Sequence, residues 1–515
     1  MACTGQDHDI ELGPSDKSCP RAQNGFWHHP SCACTCAIKL PDQHPPPAHL
    51  PDERLPQYKP ISSPTTSLMP EKLRRTLPRK RYSRLMRNVR WTWLSVYHRL
   101  HLIVLVPNIL AIATLGAQHK LWAFPPSGIS LAIALNVTAT ILIRQELVIN
   151  LLFSLVGKCP HWVPLRLRRV AAKIYHLGGV HSGAGIAATV WYSLLNAVIL
   201  KGYLQAEVAI RGELAVVIIT FVINVLFLSI VVIAMPQVRK HFHNTFEAVH
   251  RFAGWAAVAL FWVQFCLVAD ITRKSITPPP TLAAAIYTNP IFYLLLTITI
   301  SLILPWLRLR KVPVVVEELS DHAVRLHFSY TKLPLCVAPR ISDSPLKEWH
   351  AFAGIPEKDG AGFSIIISKA GDWTSRIIKS PPSRLWVRGI PAKGVLHVAP
   401  IFRSLVLVAT GSGIGPILSL LTARGIHFRI LWSTKDPVKT YRQGITNEVL
   451  TADPNAVIVN TGIHGRPDLV QESLTLYKVS HAEAVFVISN PQVTRKVVFS
   501  LESRGIPAFA PIFDS

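Results

Sequence analysis

The sequence predicts a multi-domain protein built as a six-helix transmembrane bundle, then an antiparallel β-barrel, then an α/β nucleotide-binding domain. Three observations predict it. Hydrophobic residues make up 50% of the 515 and charged residues 16%, against about 25% charged in ordinary soluble domains, and mean hydropathy is +0.31. Six apolar segments, each near the roughly 17–25 residues that a bilayer needs, crowd between residues 101 and 307. Beyond residue 402, short β-branched runs alternate with helical stretches, the pattern of a parallel sheet with crossover helices. Together these exclude a wholly soluble chain and a wholly disordered one.

Residues 1–90 read as a disordered, basic cytosolic tail. Its first 70 residues are rich in Pro and Ser and carry no apolar periodicity. The start lacks the basic-then-apolar pattern of a cleaved signal peptide. Five of the eight cysteines (Cys3, Cys19, Cys32, Cys34, Cys36) fall in the first 36 residues. Cys32, Cys34 and Cys36 behind His28 and His29 match no zinc spacing, so a plain cysteine-bearing tail is the expectation over a metal or acyl site. From Glu71 the tail turns basic, with Lys72, Arg74, Arg75, Arg79, Lys80, Arg81, Arg84, Arg87 and Arg90. Beside a membrane span such a run suits an anionic cytosolic leaflet better than nucleic acid.

The transmembrane domain is expected over residues 95–310, with apolar segments at 101–117, 129–156, 177–200, 214–235, 251–269 and 286–307. Arg144-Gln145-Glu146 interrupts the second, which is either one long tilted helix or a shorter one with an amphipathic extension. The net charge of +25 is concentrated beside these segments. Lys158, Arg166, Arg168, Arg169 and Lys173 lie in one loop, Arg239, Lys240 and Arg251 in another, and Arg308, Arg310 and Lys311 at the exit. With the basic tail they fall on one side. The positive-inside rule then makes the protein multi-pass with both termini cytosolic.

After Lys311, alternating runs at 312–319, 324–330, 362–368 and 385–387, broken by Pro and Gly, predict the barrel over 311–400. The α/β domain follows over 401–515. Its strongest signal is Val406-Leu-Val-Ala-Thr-Gly411-Ser412-Gly413-Ile-Gly415-Pro416. Glycines between a strand and a helix let the backbone approach a pyrophosphate, which the helix N-terminus favours.

That strand and glycine turn resemble the NAD(P)H site of the ferredoxin–NADP reductase superfamily. Glu348-Trp349-His350-Ala351-Phe352-Ala353 resembles the flavin segment of ferric reductases and NADPH oxidases. The stretch 362–368 with Lys369-Ala-Gly371-Asp372-Trp373-Thr374-Ser375 resembles the strand and helix start that hold the flavin pyrophosphate. The arrangement is most similar to fungal TmpA-type membrane flavoproteins, distant relatives of ferric reductases. The resemblance implies FAD and NAD(P)H as cofactors. It places His350, Phe352 and Thr374 or Ser375 at the flavin, and Gly411, Gly413, Gly415 and Pro416 at the nicotinamide nucleotide. Lys435 would meet a 2′-phosphate or be a surface lysine. Ser489 would stand beside the nicotinamide, and Phe513 would cover the flavin or serve as plain core.

The departures are specific. Ala351 stands where the family has Pro, Ala353 where it has a hydroxyl residue, and Ser489-Asn490-Pro491 where it often has Cys-Gly-Pro. In the membrane, His181 and His250 open the third and fifth segments on the same side and would ligate one haem, with His176 as the alternative on the third. The family's second histidine, 13–14 residues deeper, is replaced by Val190 or Leu195 and by Gln264. A relay to the far face is therefore not expected. The expected activity is an NAD(P)H-dependent flavin oxidoreductase working on a small lipophilic acceptor at the inner leaflet, in secondary-metabolite or signalling-molecule tailoring. A single-haem metal-chelate reductase and a degenerate membrane scaffold or sensor are the other readings. Partners are the lipid bilayer and that acceptor, with no nucleic acid.

Overall fold

The computed structural model describes residues 77–511, apart from 208–211, 359 and 424. The cysteines of the tail, Lys72, Arg74, Arg75 and Phe513 lie outside the described residues.

The chain enters through α1 (Arg84–Asn88) and a π-turn (Val89–Trp93), then builds the bundle. Its members are α2 (Val96–Ala117), α3 (Pro126–Leu142), α4 (Glu146–Gly157), α5 (Leu165–Ala171), α6 (Gly178–Gln205), α7 (Glu213–Ala234), α8 (Pro236–His241), α9 (His243–Lys274), α10 (Leu282–Tyr287) and α11 (Pro290–Ile303). Among the described residues five helices are long and apolar enough to cross a membrane: α2, α6, α7, α9 and α11 with its short continuation to Arg308. The sequence expected a sixth span over 129–156. There the chain instead bends by 66° between α3 and α4, so the two form one span only if a bent pair is counted as one. The cause is Glu146. Its carboxylate is 3% exposed, pairs with the Arg340 guanidinium and accepts the Ile390 backbone N–H at 2.5 Å. A buried carboxylate needs such partners, and they sit in the β unit, so α4 turns aside to reach them.

The β unit contains β1 (Arg310–Pro313), β2 (Val315–Ser320), β3 (Ala323–Phe328), β4 (Val337–Ser342), β5 (His350–Ala351), β6 (Ile355–Pro356), β7 (Phe363–Ser368), α12 (Asp372–Lys379) and β8 (Arg384–Lys393). The expected barrel is corrected here. Among the described residues the strands form two separate antiparallel four-stranded sheets, ordered β1-β8-β4-β5 and β2-β3-β7-β6. The outer strands β5 and β6 are two residues long, too short to carry a ladder around a closed ring. The inner faces share one core of Leu326, Phe328, Ile341, Phe363, Ile365 and Trp373.

The last unit is a parallel sheet. It runs β9 (Ser404–Thr410), α13 (Ile414–Leu418), β10 (His427–Thr434), α14 (Pro437–Ala452), β11 (Val457–Asn460), α15 (Thr461–His464), α16 (Leu469–Val479), β12 (Ala484–Ile488), α17 (Pro491–Glu502) and β13 (Ala508–Phe509). The order across the sheet is β11-β10-β9-β12-β13, all parallel. Strand residues 405–409 and 484–487 are wholly buried, as expected where helices cover both faces.

Several loop cations that suggested membrane topology also fasten the bundle to this last unit. Arg168 pairs with Glu483 at 2.9 Å, Arg169 donates to the Glu483 carbonyl at 3.0 Å, and Lys173 pairs with Glu502 at 2.5 Å. The N-terminal arm docks there too, through the Arg81 N–H on the Ser503 carbonyl and Arg504 on the Pro78 carbonyl. Arg251 of α9 donates to the carbonyls of Leu346 and Lys347 in the β unit. The three basic loops therefore meet at one end of the bundle.

Candidate functional site

Along the parallel sheet the chain lays strands outward from β9 in both directions, so its order reverses between β9 and β12. Ligands enter open parallel sheets at such a reversal, outside the carboxyl ends of the strands. At this point β9 leaves Thr410 and turns through Gly411, whose φ of +51° suits glycine. Gly411–Gly413 forms a 3-10 turn, followed by α13, which is only five residues long. The helix expected after the turn is present but short, so little helix dipole is available there.

Gly413 has ordinary backbone angles, but a Cβ on it would lie 2.2 Å from the Ile488 carbonyl oxygen at the end of β12. Gly415 differs. A Cβ there would meet Ile366 at 3.7 Å, an ordinary contact. Gly413 therefore lets the turn touch the neighbouring strand, while Gly415 and the following Pro416 lie in α13 with no such constraint.

Hydroxyl groups line this end of the sheet. Ser489, one residue past β12, is buried and shares a 2.5 Å hydrogen bond with Thr410. The Ser368 hydroxyl at the end of β7 donates to Ser412 at 2.6 Å, which joins the β unit to the glycine turn. The Trp432 indole donates to the Gly411 carbonyl at 3.0 Å. Burial raises the Tyr441 phenol to about 12, so it stays protonated beside Gly411. Lys435 is exposed just after β10. Its neighbour Asp436 is held by Asn460, which donates to the carboxylate at 2.8 Å.

In the β unit the predicted flavin residues gather around one indole. The Trp373 ring lies 4.1 Å from His350 and 6.0 Å from Phe352. His350 Nε2 and Trp373 Nε1 are both buried with no hydrogen-bond partner. Burial lowers the His350 pKa against the pull of Glu348, Glu247 and Asp343. Two orphaned polar ends at one place fit a polar aromatic ligand such as a flavin. Thr374 and Ser375 lie in the first turn of α12, where Thr374 takes part in capping the helix. The N-cap of α12 is Gly371, and Thr374 accepts from the N–H groups of Ala370 and Gly371, both at 2.9 Å. Ser375 donates to the Gly371 carbonyl at 2.7 Å. Both hydroxyls are spent on the helix's own first turn, where Asp372 adds a negative charge.

The membrane imidazoles do meet. His181, in the first turn of α6, and His250, in α9, have ring centroids 6.0 Å apart. Their planes differ by 27°, and an iron held by both would need one nitrogen of each ring turned to a shared gap. His181 Nδ1 donates to the Thr140 carbonyl at 2.9 Å, which leaves Nε2 as the ligating nitrogen. His176 takes a different place. Its ring stacks on Tyr175 at 4.4 Å, and burial lowers its pKa to about 3. Deeper along the same helices, the Tyr192 hydroxyl donates to Gln264 at 2.8 Å, and Gln264 donates to Thr220 at 2.6 Å. Phe227 and Phe261 pack on Tyr192, so packed side chains fill the level where the second histidines would stand.

Comparison with known proteins follows this division of the chain. A family model described as "Adenylate-forming reductase 03009, C-terminal domain" matches residues 395–515. The chain is 43% identical over 438 residues to Adenylate-forming reductase 03009 of Coprinopsis cinerea, covering 85% of this chain and 42% of that protein. It is also 43% identical over 442 residues to Adenylate-forming reductase 06235 of the same organism, with the same coverage. The chain thus spans under half the length of these relatives. Among solved structures, a ferredoxin NADP+ reductase from Neisseria gonorrhoeae with bound FAD and NADP aligns with TM-score 0.34 and 13% identity, over 40% of this chain and 99% of that one. A flavohemoglobin from Malassezia yamatoensis with bound FAD and heme aligns with TM-score 0.36 and 14% identity, over 74% of this chain and 98% of that one. Such low scores carry no weight, so the reading of the crevice rests on strand order and the glycine turn.

Sequence reasoning missed two groups. Glu146 was visible as a charge in an apolar run, but its partners were not. Arg388 of β8 packs on the perpendicular rings of Trp306 and Trp349, 4.6 Å from each centroid, and no local pattern announced it.

Proposed function

We propose that the chain is a membrane-bound NAD(P)H-dependent flavin oxidoreductase. The observation that carries this reading is the Ser368–Ser412 contact, which sets the end of β7, leading into the predicted flavin helix, against the glycine turn of β9. A nicotinamide nucleotide in the β9–β12 crevice and a flavin over His350 and Phe352 would then share one boundary. The crevice hydroxyls of Thr410, Tyr441 and Ser489 bind and orient the nucleotide, and Lys435 stands exposed at the same end of the sheet. His350 and Trp373 supply unpaired N–H or nitrogen groups to the flavin edge. A flavin held there supplies the chemistry of taking a hydride from the nicotinamide and releasing electrons to an acceptor.

The apolar helices lie in a bilayer with the α/β unit on the cytosolic side, and the acceptor is a small lipophilic molecule reached from the inner leaflet. His181 and His250 would hold a single haem between flavin and acceptor. The relatives' names pair adenylate formation with reduction, and we assign the reductive part to the stretch matched here. A catalytically silent scaffold is the second reading, favoured by the hydroxyls of Thr374 and Ser375 being turned into their own helix.

An absorption spectrum of the detergent-purified full chain tests the proposal. The expected result is a flavin band that NAD(P)H bleaches, with a Soret band that either His181→Ala or His250→Ala removes while bleaching persists. A protein without flavin after FAD supplementation would refute the enzyme reading and leave the scaffold. Full flavin with no Soret band under haem-replete expression would refute the haem alone.

A further inference from the structure

A cavity of about 480 Å³ lies between α4, β4, β8 and the end of α11; it shares no lining residue with the β9–β12 crevice or the His350–Trp373 pair, although β4 pairs with the His350 strand behind it. Its size suits a small-molecule site. Six cations line it: Arg308, Arg310, Lys332, Arg340, Arg388 and Lys393, and no lining residue is acidic. Glu146 answers Arg340 from just outside. Arg310 leans on the Tyr330 ring at 4.7 Å, Lys393 donates to the Ser154 hydroxyl, and Arg388 sits in the corner formed by the perpendicular rings of Trp306 and Trp349 with its Nε buried and unpartnered. Among the described residues Arg308 and Lys332 form no ion pair. With Glu146 answering only Arg340, the cations around the cavity are in excess and suit a multiply charged anion, guanidinium forks matching phosphate oxygens.

The surroundings say where that anion comes from. Leu307–Arg310 continue directly from the apolar span that ends at Arg308. The cavity's roof, α4, turns aside from α3 by 66° and leaves Leu147, Leu151 and Leu155 exposed by 50%, 59% and 61%. These leucines recur every four residues on one face, while Asn150, about 100° round the helix from them, accepts the Lys393 N–H at 2.9 Å. A short helix bent out of the bundle, with a leucine face exposed beside basic groups, suits a membrane interface. We propose that this cavity is a site for a phosphate-bearing amphiphile, with the phosphate among the six cations and the acyl chains beside the α4 leucines. The proposal uses the membrane placement argued above but none of the flavin chemistry.

The test is binding rather than turnover. The full chain in non-ionic detergent is titrated with dioctanoyl phosphatidic acid and, separately, dioctanoyl phosphatidylcholine. Phosphatidic acid should saturate and bind at least about tenfold more tightly. An Arg308→Gln, Lys332→Gln double variant should weaken it by about twenty-five-fold, taking a factor of about five for each basic residue at a membrane surface. Both positions are exposed, and an unchanged melting temperature certifies the fold, with Lys393→Gln as a second probe. The basic N-terminal arm is the same in all variants, so its lipid binding cancels. Competition by glycerol 3-phosphate at equal potency would support the phosphate site and assign it a soluble ester in place of a lipid. Equal affinity for the two lipids, or phosphatidic acid binding unchanged in both variants, would overturn the proposal.

Discussion

Gly413→Ala is the sharpest probe of the crevice, because the structure separates it from Gly415→Ala, two residues away. At Gly413 the added carbon arrives 2.2 Å from the Ile488 carbonyl oxygen and 3.0 Å from its carbon. Neither atom belongs to a flexible side chain. Relief requires the glycine turn and the end of β12 to part by about 1 Å, and overpacking of this kind costs about 1–3 kcal/mol. The same movement strains the 2.5 Å Thr410–Ser489 hydrogen bond, and so opens the nucleotide crevice. At Gly415 the added carbon makes a 3.7 Å contact, and alanine favours a helix over glycine by about 1 kcal/mol. The assay is NAD(P)H-dependent flavin reduction by the full chain, beside its melting temperature. Gly413→Ala should melt several degrees lower and lose most reduction, while Gly415→Ala should retain both. Equal behaviour of the two variants would refute the argument that Gly413 is set by its own protein's backbone.

Three further outcomes are expected. Thr374→Val should destabilise the chain by about 1 kcal/mol through loss of the α12 cap, while FAD affinity measured by fluorescence titration stays unchanged; a large loss of affinity would return the hydroxyl to the phosphate. Gly389→Ala should make the α4–β8 joint sensitive to limited proteolysis, because its φ is +66° and the new carbon would strike the Glu146 carboxylate. For His176, burial holds the folded pKa near 3, below the ordinary value of about 6.5. It costs no stability above pH 6.5, and the cost grows as pH falls from 6.5 towards 3. The melting temperature of His176→Phe should fall less than that of the wild type over this window, and parallel curves would remove His176 from the pH response.

What the sequence made legible was local. Runs such as 404–409 and 484–488 carry the strand signal in their own residues, and Gly411 with Gly413 marks the turn between them without help from elsewhere. The meeting of His181 with His250 was legible because both open apolar segments on the same side. What escaped depended on distant partners. Arg144-Gln145-Glu146 was visible as an interruption, yet its outcome was settled by Arg340 and Ile390 in another unit. The barrel was read from strand-like runs, but closure depends on the length of the outermost strands, and β5 and β6 stop after two residues. Thr374 was assigned to a phosphate by resemblance, whereas the N–H groups of Ala370 and Gly371 compete for the same oxygen three and four residues away. Lys435 and Phe513 remain as the sequence left them, one exposed at the sheet's end and one beyond the described residues.

The joint at Glu146 also sets an order of events during synthesis. The Ile390 N–H that receives its carboxylate lies 244 residues downstream. At about 5–20 residues per second on the ribosome, roughly 12–50 s separate the emergence of the two. The ion-pair partner of Glu146, Arg340, lies 194 residues downstream, so until β4 emerges the carboxylate has no protein partner and stays in water. The bundle is therefore finished late at a point encoded in its first third, and any chain that stalls before β4 is left with one charge and no address for it.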